Sequence, residues 1–484
     1  MIRQLTICLT VVFATLVFAA CNDDEPTLEN TSTATYNAAV KTFNLAEDDS
    51  VVANLDSVFF SIDQKRCLIY NADPLPYGTN VNKLIPVITT MSSVSLAELT
   101  VQRVGKSDTV YNYLENSTDT IDFTKPVKLR LVSLDGTSER NYTIQVNVRK
   151  QKADTLMWSR AERTPLPSLF DVPNEQHTTA TATAVYCLTR YQQQYCLAVS
   201  KLTENVDGGL GQWQSQYVTF GFTPDVNSFT ATSDQFYILD NEGNLYFSAD
   251  GLQWQSAGEK LHYIYGAYHS EIVASRQESD GSWSVGTFPC GIFRALPAGM
   301  PYEKTSNSVV YGFEMTPRQQ LIVVGGRLLD GSLSQDAWGF DGNAWAKISR
   351  RRIPVALHSA TLVPYYTVSV ANDWTTTRFA TMLLIGGQLE DGSLSRTVYV
   401  SSDFGINWSE ASAQMQLPEY MPAFYGAQAV VVESTLHANS RVSRPIEQWQ
   451  CPYIYLFGGL NANAATYNTM WRGVISRLTD KPIQ

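Results

Sequence analysis

Between residues 155 and 480 short apolar runs alternate with turn residues, and three of the runs share one form. Leu321 to Gly326, Met382 to Gly387 and Ile454 to Gly459 are each an apolar stretch ending in a Gly pair. Twelve positions after the second Gly stands an aromatic: Trp338, Tyr399 and Trp471. After the first two copies come a turn with Asp-Gly or Asp-x-Gly and then Trp345 or Trp408, and the third copy is followed by no such Trp. A matching run, Leu156-Met157-Trp158-Ser159-Arg160-Ala161, lies ahead of the first unit instead. A last unit lacking its outer strand, with a spare strand before the first, predicts a ring of sheets that shuts without exposing an edge.

The same reading divides 155–480 into six units of about 38 to 68 residues, near the period of four-stranded propeller blades. Units are expected to open at 177–180, 228–231, 265–268, 306–309, 358–361 and 425–428. Third strands are expected at Tyr195, Tyr246, Trp283, Trp338, Tyr399 and Trp471. Outer strands are expected at Trp213, Trp254, Phe293, Trp345, Trp408 and, by closure, Trp158. Ahead of the ring, residues 40–150 carry apolar segments at 51–62, 84–94, 127–134 and 142–148. The last alternates at period two after the turn Asp135-Gly136-Thr137-Ser138, which predicts a hairpin closing a small antiparallel sandwich. The fold class is therefore all-β: a sandwich followed by a six-bladed propeller closed by its N-terminal strand.

Residues 1–20 read as a targeting signal, with Arg3 before an uncharged apolar stretch too short for a comfortable bilayer span. Residues 21–39 are polar, Thr-rich and acidic, a flexible tether, and 151–154 form a short linker. With 44% hydrophobic and 17% charged residues the rest is ordinary for a soluble globular protein. A net charge of -11 argues against nucleic acid as a partner, because phosphate neutralisation needs clustered Lys and Arg. Beyond Cys21, the cysteines at 67, 187, 196, 290 and 451 show neither metal spacing nor a disulfide framework. Cys187 and Cys196 lie on runs joined by a polar turn and are read as buried free thiols, a cross-strand bridge being the alternative.

Leu16-Val17-Phe18-Ala19-Ala20-Cys21 resembles the lipobox of bacterial lipoproteins, with Phe18 departing from the usual Leu. The resemblance implies lipidation at Cys21, and Asn22-Asp23-Asp24-Glu25 looks like the acidic tag of some surface lipoproteins. By that resemblance the protein is lipid-anchored in the outer membrane and faces outward. The Gly-pair pattern is similar to kelch repeats, and Ser401-Ser402-Asp403-Phe404-Gly405-Ile406-Asn407-Trp408 fits the Asp-box of sialidase-like propellers. Ser248-Ala249-Asp250-Gly251-Leu252-Gln253-Trp254 is the same motif one residue short. The small domain looks like immunoglobulin- or cadherin-like modules. The whole layout resembles an uncharacterised family of bacterial surface lipoproteins, which implies a fold but no activity.

The repeated residues have structural work to do. Gly pairs let neighbouring backbones approach, and the Asp of an Asp-box accepts backbone hydrogen bonds in a tight turn. Two tryptophans fall outside the repeat. Trp374 lies in an insertion at 368–378 of the fifth unit, and Trp449 in one at 433–450 at the same place in the sixth. Asn372, Asp373, Arg444, Glu447 and Gln448 accompany them. Aromatics beside Asn, Asp and Gln suit sugar stacking and hydrogen bonding, and the alternative is that both indoles pin long loops to the ring. On the opposite face two Asp-Gly-Ser-Leu-Ser turns follow the Gly pairs, and Arg327 and Gln388 beside them are expected at the channel mouth.

Sialidase chemistry needs an arginine triad, a Tyr–Glu pair and an acid. Arg351-Arg352-Ile353-Pro354 resembles that family's arginine signature but stands after Trp254 and Trp345 rather than in the first blade. No nucleophile elbow, zinc motif, phosphate loop or dinucleotide fingerprint is present, so no metal or cofactor is expected. His177 and His358 open two units, where structural hydrogen bonds are expected. The reading is a non-catalytic surface lipoprotein whose propeller binds a glycan or an envelope protein, the alternative being a glycoside-active enzyme.

Overall fold

The three Gly-pair runs are second strands of four-stranded antiparallel sheets. The computed structural model describes residues 36–476 except 104, 106, 161–162, 203–209, 211, 313–318, 371–375 and 438–447. At 312, 367–370, 376, 378–379, 434–437 and 448–451 it describes the backbone alone. The chain divides into two compact units. The smaller takes its described residues from the chain up to 46 and from 60–70 and 81–146, and the larger comprises 47–59, 71–80 and the chain from 147 onward.

In the smaller unit, six strands form one sheet and two more, Val40–Leu45 and Pro86–Thr90, pair as a second. Val127–Ser133 buries Val127, Leu129, Leu131 and Ser133 alternately, the period-two signature of a strand with one face on a core. Its hairpin partner is Glu139–Gln145, across the expected turn. Phe43 packs edge-on against Phe60 at 4.8 Å. Two expectations are corrected. The sheet is not wholly antiparallel, because Leu68–Tyr70 runs parallel to the strand ending at Gln145. The apolar segment 51–62, whose residues 51–59 belong to the larger unit, is mostly turn, with strand only at Ser61–Asp63. Asp48 there accepts from the Ser50 amide at 3.1 Å and Asn54 turns left-handed at φ 56, local chemistry that outcompetes strand pairing.

The larger unit contains six four-stranded sheets in chain order, here I to VI. Their first strands are Glu175–Ala180, Pro224–Ala231, Tyr263–Tyr268, Val309–Gly312, Thr361–Val370 and Gln428–His437. Sheets I to V are each a continuous meander of four strands. Sheet VI takes its fourth strand, Thr155–Trp158, from the start of the unit, with Trp158 opposite Gly473 and Met157 opposite Val474. The aromatics expected on third strands all lie there, and those expected on outer strands lie in them or one residue before.

Each sheet is buried on both faces, which is why the second strands read as unbroken apolar runs rather than alternating ones. In Leu321–Val324, Leu321 and Val323 pack with Val273 and Val285 of sheet III, while Ile322 and Val324 pack with Leu362, Met382 and Leu384 of sheet V. Five clusters of this kind join successive sheets, and a sixth joins Phe457 and Tyr455 of sheet VI to Val185 of sheet I. Among first strands, that of sheet VI also lies against that of sheet I.

The residues at 401–408 and 248–254 form tight, locally hydrogen-bonded turns. Asp403 accepts from the Asn407 amide at 2.8 Å and from its Nδ2 at 2.6 Å, and Trp408 Nε1 donates to Gly405 O at 3.0 Å. Asp250 accepts the Leu252 and Gln253 amides at 2.8 and 2.9 Å, and Trp254 Nε1 donates to Gly251 O at 3.2 Å.

Candidate functional site

The Gly pairs position the site. A Cβ on Gly325 would stand 2.4 Å from the Leu357 carbonyl oxygen, and one on Gly386 2.5 Å from that of Phe424. Both have positive φ, 66° and 69°. Only glycine lets the second strand end this close to the segment leading into the next sheet. The amides of Gly326 and Gly387 donate to those same two oxygens at 3.0 and 2.9 Å.

The residue after each pair bridges back to the segment leading into its own sheet: Arg327 with Glu303, Gln388 with His358, Leu460 with Tyr425. This register corrects one expected opening. Ser306 takes the place of Thr361 and Gln428 opposite the end of its second strand, so the counterpart of His358-Ser359-Ala360-Thr361 is Glu303-Lys304-Thr305-Ser306, three residues earlier than 306–309. The lead-in segments are stitched together across sheets. Ser359 N donates to Lys304 O at 2.9 Å and Gly426 N to Ser359 O at 2.7 Å, with Lys304 and Ser359 left-handed at φ 53 and 50. Non-glycine residues held in that region mark positions where surrounding structure overrides local preference.

Along these segments runs a cluster of charged and aromatic side chains. His262 Nε2 lies 2.8 Å from Glu303 Oε2, and Arg327 Nε lies 3.7 Å from Glu303 Oε1. The His262 ring stacks on Tyr302 at 5.2 Å and meets the edge of Trp283 at 4.8 Å, and Trp283 and Tyr302 are 4.6 Å apart. The His262 hydrogen bond holds the Glu303 carboxyl below its ordinary value, against the burial that raises it. His358 is buried, with Nδ1 3.0 Å from Ser359 Oγ. Burial, then the charges of Lys304 and Arg327, push its pKa down to about 4.

A second group lies in sheets I and II. Glu175 pairs with Arg190, whose buried Nε has no hydrogen-bond partner. Asp225 accepts the Asn227 amide at 3.1 Å. Burial pushes both carboxyls up. His177, in the same first strand as Glu175, has a buried Nδ1 without the expected hydrogen bond, and burial lowers its pKa to about 4.

Of the residues singled out in the sequence, Arg327 and Gln388 occupy equivalent positions beside Glu303 and His358, and Gln388 Nε2 donates to Gly392 O at 3.0 Å. Trp374, Asn372, Asp373, Arg444, Glu447 and Cys21 lie outside the described residues. Trp449 and Gln448 belong to a strand rather than a loop, with Trp449 opposite Leu436. The described parts of the two insertions extend the first hairpin, in which all four strands run ten residues. The Thr and Val residues of 368–378 favour that outcome in the fifth unit. Arg352 pairs with Asp336 at 2.9 Å and Ile353 is buried, a structural use of the arginine signature. Cys187 and Cys196 are free buried thiols. Sequence reasoning missed His262, Glu303, Tyr302 and the site role of Trp283. Among the described residues no group of three or more His, Cys, Asp or Glu is arranged to hold a metal ion.

Consecutive four-stranded meanders packed face to face, with such a cluster where their first strands begin, define a β-propeller protein. The chain belongs to the DUF6242 family: its "DUF6242 beta propeller domain" model matches residues 152–483 and its N-terminal domain model residues 30–146. No curated protein matches the chain. Among solved structures it is similar to YjhT, with TM-score 0.37 and 9% identity over 64% of this chain and 96% of that one. It is also similar to the SapL1 lectin in complex with alpha methyl fucoside (TM-score 0.33, 10% identity, 64% and 98% covered). A subtype N11 neuraminidase-like protein of A/flat-faced bat/Peru/033/2010 (H18N11) gives TM-score 0.36 and 10% identity, with 68% and 96% covered.

Proposed function

We propose that the propeller is a recognition module that binds a glycan where the first strands begin. The carrying observation is the Trp283–Tyr302–His262 aromatic group set against Glu303 and Arg327. Aromatic faces beside fixed charged donors and acceptors are what a pyranose ring with its hydroxyls requires. In this reading the six sheets are kelch-like blades of one closed ring, supported by the sheet VI pairing at 155–158, and the cluster lines the channel mouth. The smaller unit is an immunoglobulin- or cadherin-like sandwich. Lipidation at Cys21 tethers the protein to the outer membrane, facing outward, where an envelope protein is the competing partner.

Binding is favoured over cleavage because Glu303 is held ionised, the opposite of what a general acid needs. The upward shifts of Glu175 and Asp225 favour glycoside hydrolysis as a second reading. A glycan array probed with the full chain and with Trp283→Ala and Tyr302→Ala tests the proposal. Retention on a polysaccharide, lost about tenfold or more in both variants at unchanged melting temperature, supports it. Binding untouched by either substitution rejects the site, and release of reducing sugar from the bound glycan establishes the second reading.

A further inference from the structure

We propose that the cluster contains an anion subsite, in which Arg327 and Lys304 hold the carboxylate or sulfate of an acidic pyranose whose ring faces Trp283 and Tyr302. The inference rests on the glycan reading and names its sugar class. Glu303 is already engaged by His262 at 2.8 Å, which leaves Arg327 with a carboxylate oxygen at 3.7 Å and a buried Nε that makes no hydrogen bond. The Arg327 side chain as a whole is 38% exposed, so its guanidinium can still donate a charge-assisted hydrogen bond to a ligand oxygen. Strand pairing does not need that guanidinium, because the backbones already exchange bonds: Arg327 N to Glu303 O at 2.9 Å and Tyr302 N to Arg327 O at 3.0 Å.

Lys304 sits next to Glu303 with an exposed side chain, its left-handed backbone fixed by the Ser359 amide. Two cations against one carboxylate give a local positive excess, in a chain whose net charge is -11. His358 senses the same field, since Lys304 and Arg327 add to the burial that disfavours its protonated form. A planar guanidinium and a mobile ammonium suit a carboxylate or sulfate presented from a sugar ring.

Calorimetric titration of the full chain with hexagalacturonate, a keratan sulfate hexasaccharide (sulfated, without carboxylates) and neutral cellohexaose tests this. An acidic ligand should bind at least about tenfold tighter than cellohexaose, weaken with added salt, and lose about tenfold in affinity in Arg327→Gln and in Lys304→Gln. Which acidic ligand binds tells carboxylate from sulfate. Lys304 is exposed, so its variant reports even where Arg327→Gln fails to fold. Cellohexaose binding as tightly, with neither substitution felt, overturns the anion subsite and leaves the glycan reading standing. No binding by any of the three overturns the acidic-sugar inference, and the array then judges the glycan reading separately.

Discussion

At the scale of single residues, burial sets the chemistry. His358 has a folded pKa of about 4 against 6.5 for the free side chain. Between those values the unfolded chain binds the extra proton, so the contribution of His358 to stability is fully present above about pH 6.5 and is lost as pH falls toward 4. The swing is at most on the order of 3 kcal/mol. Melting temperatures of wild type and His358→Asn, measured from pH 7.5 to 4, should converge as the solution is acidified. Curves that stay parallel would show that His358 does not titrate against folding. The cluster around it was only half legible in the sequence. Arg327 and Gln388 stood out because they follow Gly pairs, whereas His262, Tyr302 and Glu303 lie in lead-in segments of unequal length with no repeated spacing. The residue three positions before Ser306, counted back from the strand opposite Val324, becomes visible only once register is known.

At the scale of elements, the repeat is legible because its signals are short-range. Asp403 reaches Asn407 and Trp408 reaches Gly405 within one turn, so their spacing survives in sequence whatever surrounds them. The Gly pairs report a longer contact, yet still announce it by residue type, because a Cβ would meet a carbonyl oxygen. Gly386→Ala combines that 2.5 Å clash with a φ of 69° and should destabilise by roughly 2–4 kcal/mol. Gly392→Ala, with similar φ and nothing nearer than a side-chain atom at 4.0 Å, should cost only about 1 kcal/mol. Equal losses in chemical denaturation would show that backbone conformation, not close approach, fixes the pair. Segment 51–62 is apolar yet mostly turn for the converse reason: the Asp48 carboxylate holds the Ser50 amide and Asn54 turns left-handed, which an apolar count does not register.

At the scale of the whole molecule, every sheet buries both faces, so an open arrangement would leave two apolar faces in water. Sheet I covers one side of sheet VI through Val185, Phe457 and Tyr455, and the strand at 155–158 completes that sheet with residues about 317 positions from their partners. Gly473 makes room for it, since a Cβ there would stand 2.7 Å from the Trp158 ring. Met157 and Val474 face each other directly across the pair, which permits a covalent test. Met157→Cys with Val474→Cys should oxidise to a disulfide that speeds migration on a non-reducing gel. Closing so long a loop should raise stability by about 5 kcal/mol if the two ends separate on unfolding. A bond that forms without raising the melting temperature would mean that the ends part after the sheets have already come apart. Failure to form one, with both thiols reactive, would place the two segments apart and remove the ring on which the proposed mouth depends.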